Sequence, residues 1–344
     1  MDLIIKPTEL CNFACTFCSS TNITDDKKDV LNLDYIARFL DRFPNTQTII
    51  VNGGDPLMLR PDYYWDILKL LEERGMTETI VSFTTNLWDF YKRPDKWTEL
   101  FRHPQIGVGT SFHYGDSRLI TRTRVFLEED FWAVSDLFLE RVGYRPDFIS
   151  VIDESNVQRA LDNVRLAKKM GVVCKLNWAF ASGRQSISYL MGDIYAKYLE
   201  IHKAGLTPWE YNTQQFIRSL GGLKTTCPIS RDCDKGIRNL HPDGSYYSCG
   251  AFGDDDMFPI DFENEMASDA ITTPLQDSML YLSMHDDCWG CSLFSLCNGC
   301  RKTIMDTQES CRVDEHCSKM KALEAELNQA SEVGIVDLIE VRNV

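Results

Sequence analysis

Leu3-Ile4-Ile5-Lys6-Pro7-Thr8-Glu9-Leu10-Cys11-Asn12-Phe13-Ala14-Cys15-Thr16-Phe17-Cys18 decides how the rest of the chain is read. A short apolar strand runs into three cysteines in the order C-x3-C-x2-C. Downstream, short β-type runs alternate with longer segments of helical period, the pattern of a parallel sheet with crossover helices. Strands are predicted at Leu3 to Lys6, Thr48 to Asn52, Thr79 to Thr84, Gly107 to Ser111, Asp147 to Val151 and Val172 to Leu176. Helices such as Leu33 to Phe43, Tyr64 to Arg74, Glu128 to Val142 and Val157 to Met170 fall between them. The fold class is therefore α/β, a partial (β/α)6 TIM barrel. Eight strands would close on themselves, whereas six leave an open side toward the C-terminal strand ends, where βα-loops carry chemistry. The cysteine loop follows the first strand, at that end.

Three thiolates can hold a four-iron cluster and leave one iron open. Such an iron can bind the amino and carboxylate groups of S-adenosylmethionine (SAM), so that an electron from the cluster breaks a carbon–sulfur bond and releases a 5′-deoxyadenosyl radical. Zinc is the competing reading. Structural zinc takes four N/S ligands, usually as two C-x2-C pairs, and only one such pair lies here, with no histidine nearby. Disulfides fit less well: the N-terminus shows no apolar signal segment, and 13 cysteines in such a chain read as metal ligands in a reducing, cytoplasmic compartment.

With 344 residues, 44% of them hydrophobic, the chain can bury one large or two moderate cores. The longest apolar runs, such as Phe148 to Ile152, are strand-sized and too short to span a bilayer, so no membrane partner is expected. A net charge of -15 disfavours nucleic acid, and no Lys/Arg cluster interleaved with aromatics offsets it.

The cysteine loop resembles the signature of the radical SAM superfamily. That resemblance implies further roles. Phe17 matches the aromatic position beside the adenine of SAM, and Gly53-Gly54-Asp55-Pro56, after the second strand, resembles the Gly-Gly-Glu-Pro motif whose backbone groups bind the methionyl amino group. Asp55 departs from the usual Glu. Glycines there permit close approach of backbone to ligand. Ser111, ending the fourth strand, with an arginine downstream would hold the SAM carboxylate; Arg122 and Arg124 both qualify, and Arg124 is preferred. Thr84, Thr85 and Asn86 after strand three and Asn177 after strand six occupy rim positions that contact SAM or substrate in the family.

A second run of cysteines sets the subclass. Cys227, Cys233 and Cys249 read C-x5-C-x15-C, Cys288, Cys291, Cys297 and Cys300 read C-x2-C-x5-C-x2-C, and Cys311 and Cys317 follow. This resembles the SPASM extension, a cysteine-rich iron-sulfur domain with two auxiliary 4Fe-4S clusters. By that resemblance Cys227, Cys233, Cys249 and Cys300 would ligate one cluster, and Cys288, Cys291, Cys297 and Cys317 the other, with Cys311 the competitor for the last position. Zinc ribbons are the alternative. Cys174 lies within the sixth strand, where a free cysteine packs as a small apolar residue. His241-Pro242-Asp243-Gly244 is a hairpin turn signal before the strand-like Tyr246-Tyr247. The expected organisation is a barrel over 1–215, an auxiliary-cluster domain over 216–320, and a C-terminal helix and tail over 321–344. Within that tail, Ile335 to Val341 is read as an edge strand or cap beyond Gly334.

The expected cofactors are SAM and three 4Fe-4S clusters, with flavodoxin or ferredoxin as electron donor. The substrate stays open between two classes. One is a ribosomally made peptide, to be crosslinked or oxidised; an acidic surface suits a basic peptide. The other is a small molecule or nucleotide, oxidised, epimerised or isomerised, for which Trp88, Phe112, Tyr114 and Trp178 offer rings for stacking, although such aromatics are more often core. Sulfatase-maturing relatives carry an aspartate after the cysteine equivalent to Cys249, and Gly250 here argues against formylglycine formation. Asp254, Asp255 and Asp256 read as a solvated acidic loop. His113 is the one candidate acid or base at the barrel mouth.

Overall fold

The computed structural model describes residues 1–19, 29–182, 188–222, 236–265, 288, 290–297 and 300–340. Cys227 and Cys233 lie outside the described residues.

The barrel half follows the predicted alternation. In order run β1 (Asp2–Ile5), α1 (Leu33–Arg42), β2 (Thr48–Val51), α2 (Pro61–Glu73), β3 (Ile80–Thr84), α3 (Trp88–Lys92), α4 (Pro94–Phe101) and β4 (Ile106–Ser111). A small antiparallel pair, β5 (Leu119–Thr121) and β6 (Arg124–Val125), precedes α5 (Glu128–Val142), β7 (Phe148–Ile152), α6 (Ala160–Met170), β8 (Cys174–Trp178), α7 (Met191–Lys203) and α8 (Tyr211–Leu220). The strands β1-β2-β3-β4-β7-β8 pair in parallel in that order.

Period-2 alternation divides each strand between two environments. Leu3, Ile5, Ile49, Val51, Val81, Phe83, Ile106, Val108, Phe148, Cys174 and Leu176 are buried under the helices. The alternate residues, among them Ile4, Ile50, Thr84, Ser111, Val151 and Asn177, are only half-buried and line the concave face. Helix starts follow local chemistry. Asn32 Oδ1 accepts from Asp34 N–H at the start of α1, and the fully buried Glu210 takes the N–H groups of Asn212 and Thr213 at the start of α8. Glu210 also accepts from Leu176 N–H at 2.9 Å, tying β8 to that helix.

The sequence leaves out how the extension attaches. β9 (Ile237–Leu240) pairs in parallel with β1, and β10 (Tyr246–Tyr247) folds back antiparallel, so the sheet has eight strands in the order β10-β9-β1-β2-β3-β4-β7-β8. The turn between them is the predicted one. Gly244 has φ +85°, and a Cβ there would stand 2.5 Å from the Tyr35 ring. Arg238 and Glu265, both buried, pair at 2.7 Å inside the extension, and it is Arg38, meeting Glu263 through two 2.8 Å bonds, that seats the extension on α1.

Helices α9 (Gly250–Gly253), α10 (Phe294–Cys297), α11 (Arg301–Glu309) and α12 (Val313–Glu340) complete the described elements. The expected edge strand at Ile335 to Val341 is corrected: α12 continues through Gly334 to Glu340 and packs on α7 and α8. The reading of the acidic run as a solvated loop is corrected too. Asp254 pairs with buried Lys6 at the end of β1, Asp255 with buried Lys302 at 2.7 Å, and Asp256 accepts from Tyr247 Oη at 2.6 Å. Each aspartate has a partner: Asp254 ties the extension to the barrel, and Asp255 and Asp256 brace the extension internally. Among the described residues no helix is long and apolar enough to cross a membrane.

Candidate functional site

The cysteine loop leaves the C-terminal end of β1 and is held from two sides. Ala14 N–H donates to Leu119 O at 2.8 Å and Thr16 N–H to Ser117 O at 3.0 Å, so the segment entering β5 grips its backbone. On the opposite side, Gly54 N–H donates to Thr8 O at 2.9 Å and Asp55 N–H to Leu10 O at 2.8 Å. The two glycines make this approach possible. A Cβ on Gly54 would lie 2.2 Å from Leu10 O, and Gly53, at φ +121°, would place one 2.6 Å from Thr8 O. Their closeness thus serves the cysteine loop itself.

Asp55 organises the floor. Buried, it accepts from Leu57 N–H, Asn86 N–H and the Thr85 hydroxyl at 2.8–3.0 Å. Burial pushes its pKa up to about 6, against the pull of those hydrogen bonds. Pro56 follows in a short 3-10 turn, Pro56–Met58, that Asp55 caps. Asn86 then reaches the loop: its Nδ2 lies 2.7 Å from Asn12 Oδ1 and 3.9 Å from Cys11 Sγ.

Cys11, Cys15 and Cys18 come close enough for their thiols to act on one another and on a single cation, Arg118. Arg118 is 5% exposed and donates to Ser111 Oγ at 2.8 Å, with its carbon Cζ 5.3 Å from the Phe17 ring centre. Its buried Nε has no hydrogen-bond partner among the described residues. Burial draws its pKa down, and the thiols and Asp55 oppose that shift. A buried guanidinium with an unmet donor calls for an anion. Arg124, the arginine preferred on sequence, instead pairs with Asp130 at 2.6 Å on an exposed face, and Arg122 is exposed.

Phe17 packs edge-on against His113 with ring centres 4.9 Å apart. His113 is wholly buried, and burial holds its pKa well below the usual range. Ser117 Oγ donates to Asp153 at 3.1 Å, so the 3.0 Å contact between His113 Nε2 and Ser117 Oγ has the histidine as donor. This ring reaches Phe17 rather than the open barrel mouth. Thr84 and Asn177 lie within β3 and β8, half-buried on the concave face, and Asn52, which sequence reasoning passed over, adds a buried Oδ1 without a partner among the described residues, two residues before Gly54. Of the aromatics considered for stacking, Phe112 lies flat on Phe131 at 4.7 Å and Trp178 donates to Tyr198 Oη, both within the core.

In the extension, Cys288, Cys291, Cys297 and Cys317 line one recess, walled by Leu293, Phe294 and Met320. Cys311 is exposed and does not line it. Cys249 and Cys300 directly precede α9 and α11, which the Lys302–Asp255 pair ties together. Among the described residues no group of three or more His, Cys, Asp or Glu is arranged to hold a single metal ion.

This arrangement of a cysteine loop over an open parallel barrel defines a class. The sequence model of the radical SAM superfamily matches residues 5–180, and the chain belongs to that superfamily and is an enzyme. An uncharacterized protein of Methanothermobacter thermautotrophicus is 25% identical over 195 residues, 54% of this chain and 70% of its own. GTP 3',8-cyclase of Mannheimia succiniciproducens is 30% identical over 101 residues, 28% of each chain. Among solved structures, native anSMEcpe with bound AdoMet matches with a TM-score of 0.68 at 16% identity over 100% of both chains. Streptococcus suis SuiB bound to precursor peptide SuiA gives a TM-score of 0.60 at 16% identity, over 87% of this chain and 71% of its own. At these identities the likeness is one of fold.

Proposed function

We propose that the chain is a radical SAM enzyme of the SPASM subclass that modifies a peptide. The observation that carries the subclass is the recess of four cysteines, whose members are those the resemblance assigns to one auxiliary cluster. The other auxiliary cluster would take Cys249 and Cys300 with Cys227 and Cys233. The proposed division stays at 1–215, 216–320 and 321–344.

At the first site Cys11, Cys15 and Cys18 would hold the cluster whose open iron, once SAM is bound, supplies a 5′-deoxyadenosyl radical. The chain's own groups then orient SAM. Arg118, rather than Arg124, would fork onto its carboxylate beside Ser111, and Phe17, backed by His113, would flank the adenine. The N–H groups of Gly54 and Asp55 already donate to the cysteine loop, so an amine here would find acceptors in the Gly53–Pro56 carbonyls and in Asn52 Oδ1. Thr84, Asn86 and Asn177 would complete the rim.

The peptide reading is supported by the likeness in fold, over 87% of this chain, to SuiB, a structure of which contains a precursor peptide. The match to GTP 3',8-cyclase favours a nucleotide as the second reading, over a shorter span. Anaerobic reconstitution should give about twelve irons per chain, falling by about four when Cys11, Cys15 and Cys18 become alanine. Incubation with SAM, reductant and a peptide encoded beside the gene should then change that peptide's mass. Conversion of a nucleotide with the peptide unchanged would replace the first reading by the second.

A further inference from the structure

Beside the cysteine loop, where α3 meets the β5–β6 hairpin, lies an aromatic patch edged with cations. Phe13, within the loop, packs edge-on to Trp88 at 6.2 Å, and Trp88 stacks on Tyr91 at 5.2 Å. Lys92 Nζ lies 4.8 Å from the Trp88 ring centre and Arg124 Cζ 5.4 Å from it; Arg124 pairs with Asp130 and the exposed Arg93 with Asp89, and Arg122 is exposed nearby in sequence. Leu127 adds an apolar side chain 54% exposed. The patch connects to a proposed cluster ligand through two short links. Phe13 N–H donates to Cys11 Sγ at 3.4 Å; Asn86, 3.9 Å from the same sulfur, accepts from Trp88 N–H at 2.8 Å.

We propose that this patch is the docking surface for an acidic one-electron carrier protein that reduces the cluster of the cysteine loop. The inference rests on the function proposed above. A chain of net charge -15 repels an acidic partner at long range, so productive encounter needs a local face of opposite sign. Aromatic side chains with arginine are the groups that anchor protein interfaces, and the cations edging the rings would set orientation and association rate. One electron passes from the reduced carrier to the cluster, and no proton or other group moves with it.

The test uses the full-length reconstituted protein and an acidic flavodoxin as probe. Reversing two charges with Lys92→Glu and Arg122→Glu should raise the dissociation constant about tenfold or more at low salt. Binding by the unaltered protein should weaken between about 50 and about 200 mM salt. Cleavage of SAM driven by dithionite, which needs no docking, should stay unchanged in the variant. Unaltered flavodoxin affinity in the variant would overturn the proposal. So would an equal loss on reversing Arg60 and Lys69, two exposed cations elsewhere, because the effect would then be one of net charge. A failure of the parent reading shows separately, as absence of dithionite-driven SAM cleavage in the unaltered protein.

Discussion

Arg118 donates a hydrogen bond to Ser111 from a position between Ser117 and Leu119, the two residues whose carbonyls grip the cysteine loop. One short segment therefore fixes both the loop and the cation that faces its thiols. Replacing Arg118 with alanine should weaken SAM binding by about 10- to 100-fold, as expected for loss of a charge-assisted bond of about 1.5–3 kcal/mol. Arg124→Ala should leave it nearly unchanged. Equilibrium dialysis with labelled SAM separates the two.

Asp55 gives the floor a pH signature. Its folded pKa is raised from 3.8 to about 6, so the folded state binds the proton more tightly than the unfolded state does. Stability should therefore fall as pH rises through that window. Asp55→Asn should remove this dependence and cost about 1–3 kcal/mol, because donors that a carboxylate satisfies then meet an amide. Denaturant melts at pH 4 and pH 6 read both effects.

Gly54→Ala should prevent assembly of the first cluster. The added methyl would meet backbone atoms of Glu9 and Leu10 at 2.2–2.5 Å, which no side-chain rotation can relieve. The expected readout is loss of about four irons on reconstitution with the extension's iron retained.

The cysteine recess makes its own prediction. Cys317→Ala should lower the iron content by about four, whereas Cys311→Ala should leave it intact. Iron analysis of the two variants side by side checks the ligand set.

Much of this was legible because the barrel strands carry their own alternation. Leu3, Ile5, Ile49, Val51, Val81 and Phe83 are hydrophobic for a reason that operates within each strand. The parallel docking of Ile237–Leu240 on β1 was not legible, since strand pairing depends on edges that only the folded sheet presents. Arg118 was passed over because it follows Ser111 by seven positions across a turn, and spacing alone could not rank it against Arg122 and Arg124. A clue existed in its place just before the β-type run Leu119-Ile120-Thr121. The acidic run misled because composition does not disclose partners: Lys6 and Lys302 stand 248 and 47 positions from Asp254 and Asp255.

The central claim is that Cys11, Cys15 and Cys18 leave one iron open for SAM. Electron paramagnetic resonance of the anaerobically reduced protein, in a variant lacking the extension's cysteine ligands, tests it most directly. Addition of SAM should shift the signal of the remaining cluster. A spectrum unchanged at saturating SAM would contradict the account.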